Sequence, residues 1–173
     1  MNTSPLTGKT KHKELVLKRY HEVIQALERA FGEQLKTIVL FGSQVHGEQR
    51  SDSDHDLFVV IENLPRDPLA RQRTVRMTLL PILDRLPGLI TFIAKTPCEF
   101  EANLTPLLLD VCADGICLFG DLYFEPYRQR ALNAIQQAGL QRKKTGGKRM
   151  WLFPQIPNRD WELTWEGFRE YTR

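Results

Sequence analysis

The stretch LFGSQVHGEQRSDSDHDLFVVI, residues 40–61, constrains this chain more than any other. It opens on the end of a continuous apolar, β-rich run, Thr37-Ile38-Val39-Leu40-Phe41, and closes on a second such run, His55 to Ile61. Unbroken runs of this kind predict strands covered on both faces, which require other layers above and below them. Between the two lie Gly42-Ser43, Gly47 and the acidic Ser51-Asp52-Ser53-Asp54-His55-Asp56. The connection therefore delivers polar and flexible residues to the ends of two buried strands.

The rest of the chain supplies the layers. Val16, Tyr20, Val23, Leu27 and Phe31 recur at helical spacing and predict a helix over 11–31, stopped by Gly32. Leu89 to Ala94 reads as a third strand, and Ile116 to Phe119, bracketed by Asp114-Gly115 and Gly120-Asp121, as a fourth. Asp67 to Leu86 carries a leucine and valine stripe that Pro81 must kink or split. Phe100 to Ala113 reads as a short helix broken near Pro106, and Leu122 to Leu140 as another. Helices alternating with short buried strands predict an α/β fold with a small central sheet. The expected division is a domain over 11–140, with its core motif at 40–61, and a basic, tryptophan-containing tail over 141–173 that packs on the domain or on a partner.

Charge refines this division. The net charge is +3, but Arg142, Lys143, Lys144, Lys148 and Arg149 form a +5 cluster, and the remainder of the chain is −2. Such a run is read as a solvated face in preference to a nucleic-acid contact. Trp151, Trp161 and Trp165 are read as packing rings in preference to base-stacking ones. No segment approaches the roughly twenty apolar residues that span a bilayer, and the N-terminus lacks a signal-peptide core. The three cysteines are odd in number and form no CxxC pair. Cys112 and Cys117 sit in apolar surroundings that suit small core hydrophobes. A reduced, cytoplasmic protein without membrane segments is the expectation.

The chemistry lies in residues 42–56. Glycine lets the backbone approach an anion closely, turn amides can point at phosphate oxygens, and the Ser43 hydroxyl adds a contact. If Asp54 and Asp56 begin the second strand, they share a face with Cα atoms about 7 Å apart. Two carboxylates so placed suit Mg²⁺, a hard cation that binds oxygen ligands together with substrate phosphates. Asp52 is read as a loop residue or turn cap, His46 as a solvated loop residue and His55 as an interior histidine.

Gly42-Ser43, ten intervening residues, then Asp54-x-Asp56 between two buried strands resembles the signature of the DNA polymerase beta-like nucleotidyltransferase superfamily. Gly47-Glu48 and Ser53-Asp54-x-Asp56-Leu57 bring it nearest to the small bacterial minimal nucleotidyltransferases. The likeness covers about Tyr20 to Asp121. It implies the nucleotidyltransferase fold, a small mixed β-sheet flanked by helices. It also implies Mg²⁺-dependent transfer of a nucleoside monophosphate from an NTP to an acceptor hydroxyl, with release of pyrophosphate. Asp54 and Asp56 would ligate metal and act catalytically, and Gly42 and Ser43 would bind the nucleotide. The family usually carries a third metal-binding aspartate on the next strand, where the best alignment here places Thr91. That departure implies impaired or altered transfer. The alternative is a catalytically weakened nucleotide-binding or antitoxin-like protein that neutralises a HEPN-type toxin, since many minimal members pair with one.

Overall fold

A computed structural model describes residues 5–45, 54–145, 148–157 and 160–171. His46, Gly47, Glu48, Asp52 and Ser53, which entered the sequence argument above, lie outside the described residues.

Helices α1 (Pro5–Arg19) and α2 (His21–Phe31) lead into strand β1 (Leu35–Phe41), a 3-10 turn (Gly42–Val45) and strand β2 (His55–Ile61). The single helix expected over 11–31 is thus two, separated at Tyr20. The apolar repeat runs unbroken across this junction because Tyr20, 1% exposed, is itself a core residue. Helix α3 (Pro68–Met77) follows, begun by Asp67, whose carboxylate accepts from the Ala70 amide. Pro81 falls within a separate 3-10 segment, Leu80–Arg85, so the expected interruption is a split.

Strand β3 (Ile90–Lys95) precedes α4 (Pro97–Ala102) and α5 (Pro106–Asp114). Each of these helices places proline in its first turn behind a threonine cap, Thr96 and Thr105. Strand β4 (Ile116–Phe119) and helix α6 (Asp121–Gln137) complete the α/β unit. Two antiparallel hairpins follow, β5 (Gln141–Thr145) with β6 (Lys148–Leu152), and β7 (Trp161–Thr164) with β8 (Gly167–Glu170).

The sheet order is β3-β2-β1-β4. Strand β2 runs antiparallel to β1 and parallel to β3, and β4 runs antiparallel to β1, so the sheet is mixed. Strand alternation sends Leu57, Val59 and Ile61 to one face, against Val23 and Leu27 of α2 and Val75 of α3. Phe58 and Val60 face the other way, against Phe100 of α4, Leu108 and Val111 of α5 and Phe124 of α6. Both faces are therefore covered.

The tail closes the second layer. Trp165 is 4% exposed and meets the Phe100 and Tyr127 rings edge-on at 5.2 and 5.3 Å. Arg142 is ion-paired with Asp110 and Asp114 of α5 and stacks on the Trp151 ring at 4.4 Å. The Trp151 indole also donates to Asp110 at 2.7 Å. Trp161 remains 45% exposed against Phe153 and Phe168. Part of the basic run is thus a structural fastening, with Lys143, Lys144 and Arg149 exposed on the hairpin. Cys112 and Cys117 are buried, with thiols pushed up to about 12 and about 11 by burial, and Cys98 is exposed.

Candidate active site

The 3-10 turn begins where β1 ends, because Gly42 adopts φ +77, a left-handed conformation that side-chain-bearing residues rarely take. Space explains the residue as well as conformation does. A Cβ at Gly42 would lie 2.6 Å from Oδ2 of Asp56. The turn backbone and that carboxylate are therefore in direct apposition. Ser43, the next residue, is exposed, while Gln44 is buried, and the Arg19 guanidinium reaches its side chain at 3.5 Å.

Asp56 is the second residue of β2, half-buried, and paired with Phe41 on one side and Thr91 on the other. Asp54 stands exposed immediately before the strand. Only Asp56 lies within the ladder, so the expectation that both acids begin the strand holds for one of them. Gly42, Asp56 and Thr91 thus meet at one end of three adjacent strands, with Ser43 and Asp54 next to them in the chain.

Thr91 occupies the register position directly across from Asp56 and donates its hydroxyl hydrogen to Asp56 Oδ1. One carboxylate oxygen is thereby engaged, and the other faces the glycine turn. Among the described residues, three acids that could stand in for a third carboxylate are engaged elsewhere. Glu62 pairs with Lys36 at 2.9 Å, Glu99 forms two hydrogen bonds with Arg71, and Glu101 accepts from Tyr123 and Tyr127. Among the described residues, no three His, Cys, Asp or Glu side chains converge as a metal site.

His55 points to the opposite face from Asp56. It is 3% exposed, and its Nδ1 lies 2.5 Å from the Tyr20 hydroxyl. Burial lowers its pKa and the Arg19 charge lowers it further, which favours a neutral ring. Burial also holds the Tyr20 phenol protonated, its pKa pushed up to about 12. Arg19 was not singled out by the sequence, and Tyr20 was read only as one position of the apolar repeat. They stand at the junction of α1 and α2, a break that the repeat did not announce.

Comparison with known proteins adds the context. A family model described as polymerase beta, nucleotidyltransferase matches residues 21–119. A candidate protein adenylyltransferase of Methanocaldococcus jannaschii is 28% identical over 118 residues, covering 67% of this chain and 80% of that protein. Among solved structures, a toxin–antitoxin crystal structure with AMP-PNP is similar at 22% identity and TM-score 0.48, covering 67% of this chain and 86% of that one. A complex of a tri-AMPylated Shewanella oneidensis HEPN toxin with an MNT antitoxin is similar at 19% identity and TM-score 0.45, covering 72% of this chain and 87% of that one.

Proposed function

Because the chain belongs to the polymerase beta nucleotidyltransferase family, we propose that it transfers a nucleoside monophosphate from an NTP to an acceptor hydroxyl, releasing pyrophosphate. The observation that carries this reading is the apposition of Gly42 and Asp56 Oδ2. It puts a phosphate-accessible backbone against a carboxylate able to hold the counter-cation of that phosphate. The name of the M. jannaschii relative supports ATP as donor and a protein hydroxyl as acceptor.

The residues present fit one hard divalent cation. Asp54 and Asp56 would hold Mg²⁺ together with phosphate oxygens, and the ion would neutralise triphosphate charge and polarise the reacting phosphorus. Gly42 and Ser43 would receive the phosphate oxygens through the turn amide and the hydroxyl. Asp56 would be held in place by the Thr91 hydroxyl. Catalysis of this kind is mostly positioning and charge stabilisation, so a small donor set suffices.

Thr91 favours a second reading. A hydroxyl that donates to Asp56 replaces a negative oxygen donor, which removes a ligand for a second cation. In this reading the protein retains nucleotide and acts as an antitoxin-like binder of a HEPN-type partner, its transferase step weakened.

Incubation with radiolabelled ATP, Mg²⁺ and candidate protein acceptors tests both readings. Label transferred by the wild type and lost in Asp54→Asn and Asp56→Asn supports the transferase. Retention of ATP without transfer supports the binder. Equal ATP retention by the wild type and both variants removes the site from either role.

A further inference from the structure

Helix α3 buries one residue fully among those described, Val75, and is fastened to β3 and α4 by Arg71 and Gln72, which bond to Ala94, Glu99 and Phe92. Its outer face presents two large apolar side chains to solvent. Leu69 is 80% exposed and Met77 53%, and the following 3-10 segment continues with Leu80 at 50% and Leu83 at 58%. At helical pitch, Leu69, Arg73, Arg76 and Met77 fall within an arc of about 100°. That arc lies opposite Val75. Arg73 and Arg76 are exposed, and among the described residues they make no ion pair, unlike Arg71, held by Glu99, and Arg85, held by Glu22.

We propose that this face of α3 and the adjoining 3-10 segment is a docking surface for an acidic amphipathic helix of a partner protein. Leu69, Met77, Leu80 and Leu83 would receive its apolar side chains, and Arg73 and Arg76 its carboxylates. Charge complementarity selects an acidic partner, because two unpaired guanidinium groups, Arg73 between Leu69 and Met77 and Arg76 at the edge of the stripe, stand beside these apolar side chains. Their position also argues against a lipid surface. A membrane-seated helix segregates its cations to the rim of the apolar face, whereas here Arg73 stands between Leu69 and Met77, and the face carries no aromatic anchor. The proposal is independent of the transferase reading, since the surface uses no residue of the Gly42 and Asp56 site.

The test uses the full chain and two stapled, fluorescein-labelled amphipathic helices of identical apolar face, one flanked by glutamates and one by lysines. Fluorescence anisotropy at physiological salt is expected to show the acidic peptide binding at least about tenfold more tightly than the basic one. The double variant R73E/R76E should invert that preference. Leu69→Ser with Met77→Ser should weaken the acidic peptide by about tenfold without changing the thermal midpoint or ATP retention. Equal binding of both peptides, or binding of neither, overturns the proposal. So does preference for phosphatidylglycerol vesicles over the acidic peptide, or self-association that the Leu69→Ser, Met77→Ser variant abolishes.

Discussion

Thr91 and Asp56 face each other across two parallel strands, joined by a hydrogen bond from the hydroxyl to one carboxylate oxygen. The pair sets the charge at the candidate site, and changing either member should be legible in cation response. Thr91→Asp places two carboxylates directly opposite and removes the donated hydrogen bond. Without divalent ions it should destabilise the protein by about 1–2 kcal/mol. Mg²⁺ should return that loss, and EDTA should restore it, in urea midpoints compared with the wild type. A Thr91→Asp protein indifferent to Mg²⁺ would show that position 91 does not face a cation position.

Gly42→Ala tests the turn. The new methyl meets Asp56 Oδ2 and must also adopt a positive φ. Strain of about 1–2 kcal/mol in the urea midpoint is expected, together with loss of ATP retention measured by calorimetry. Ser43→Ala, which alters an exposed hydroxyl, should leave stability within about 0.5 kcal/mol of the wild type and weaken nucleotide alone.

The pH dependence of stability should have two limbs. His55 has a folded pKa below its ordinary 6.5, first through burial and then through Arg19. Its contribution is complete above 6.5 and is lost as pH falls, because the unfolded chain then takes up a proton that the folded chain resists. Glu99 is held at about 2 against an ordinary 4.5, chiefly by its hydrogen bond with Arg71. Its contribution is present above 4.5 and disappears as pH falls toward 2. Urea midpoints across this range should show both limbs, and Arg71→Met should flatten only the acid one. Tyr20→Phe should cost about 1 kcal/mol and leave the acid limb unchanged.

Trp165→Ala should destabilise the whole chain by about 3–5 kcal/mol, the usual range for a buried large aromatic. Trp161→Ala, at a ring 45% exposed, should cost far less. Calorimetric melts of the two variants make the comparison. Similar costs would mean that the two hairpins pack alike.

The central stretch was readable because its signals are local. Strands over 55–61 and 116–119 match the expected residues, each bounded by acids or glycines that end an apolar run. The resemblance placed Thr91 on the strand after Asp56, and the register sets the two opposite each other. The break at Tyr20 was hidden because Tyr20 itself stays in the core, which leaves the repeat intact. The β5 and β6 hairpin was hidden for a different reason. QRKKT and KRMWL lack apolar alternation, and Arg142 is drawn inward by Asp110 and Asp114, more than twenty residues earlier. Arg19 reaches Gln44 by the same kind of long-range placement, and no pattern along the chain announces it.

The seat of Trp165 between Phe100 and Tyr127 bears on biosynthesis. A chain emerging from its N-terminus has all four strands of the central sheet available once Phe119 is made, yet one flank of that assembly stays uncovered until the β7 turn arrives. During that interval aromatic rings are open to chaperones and to other nascent chains. Slowing translation between α6 and Trp165 should therefore lower the yield of folded protein even though the family motif is already complete.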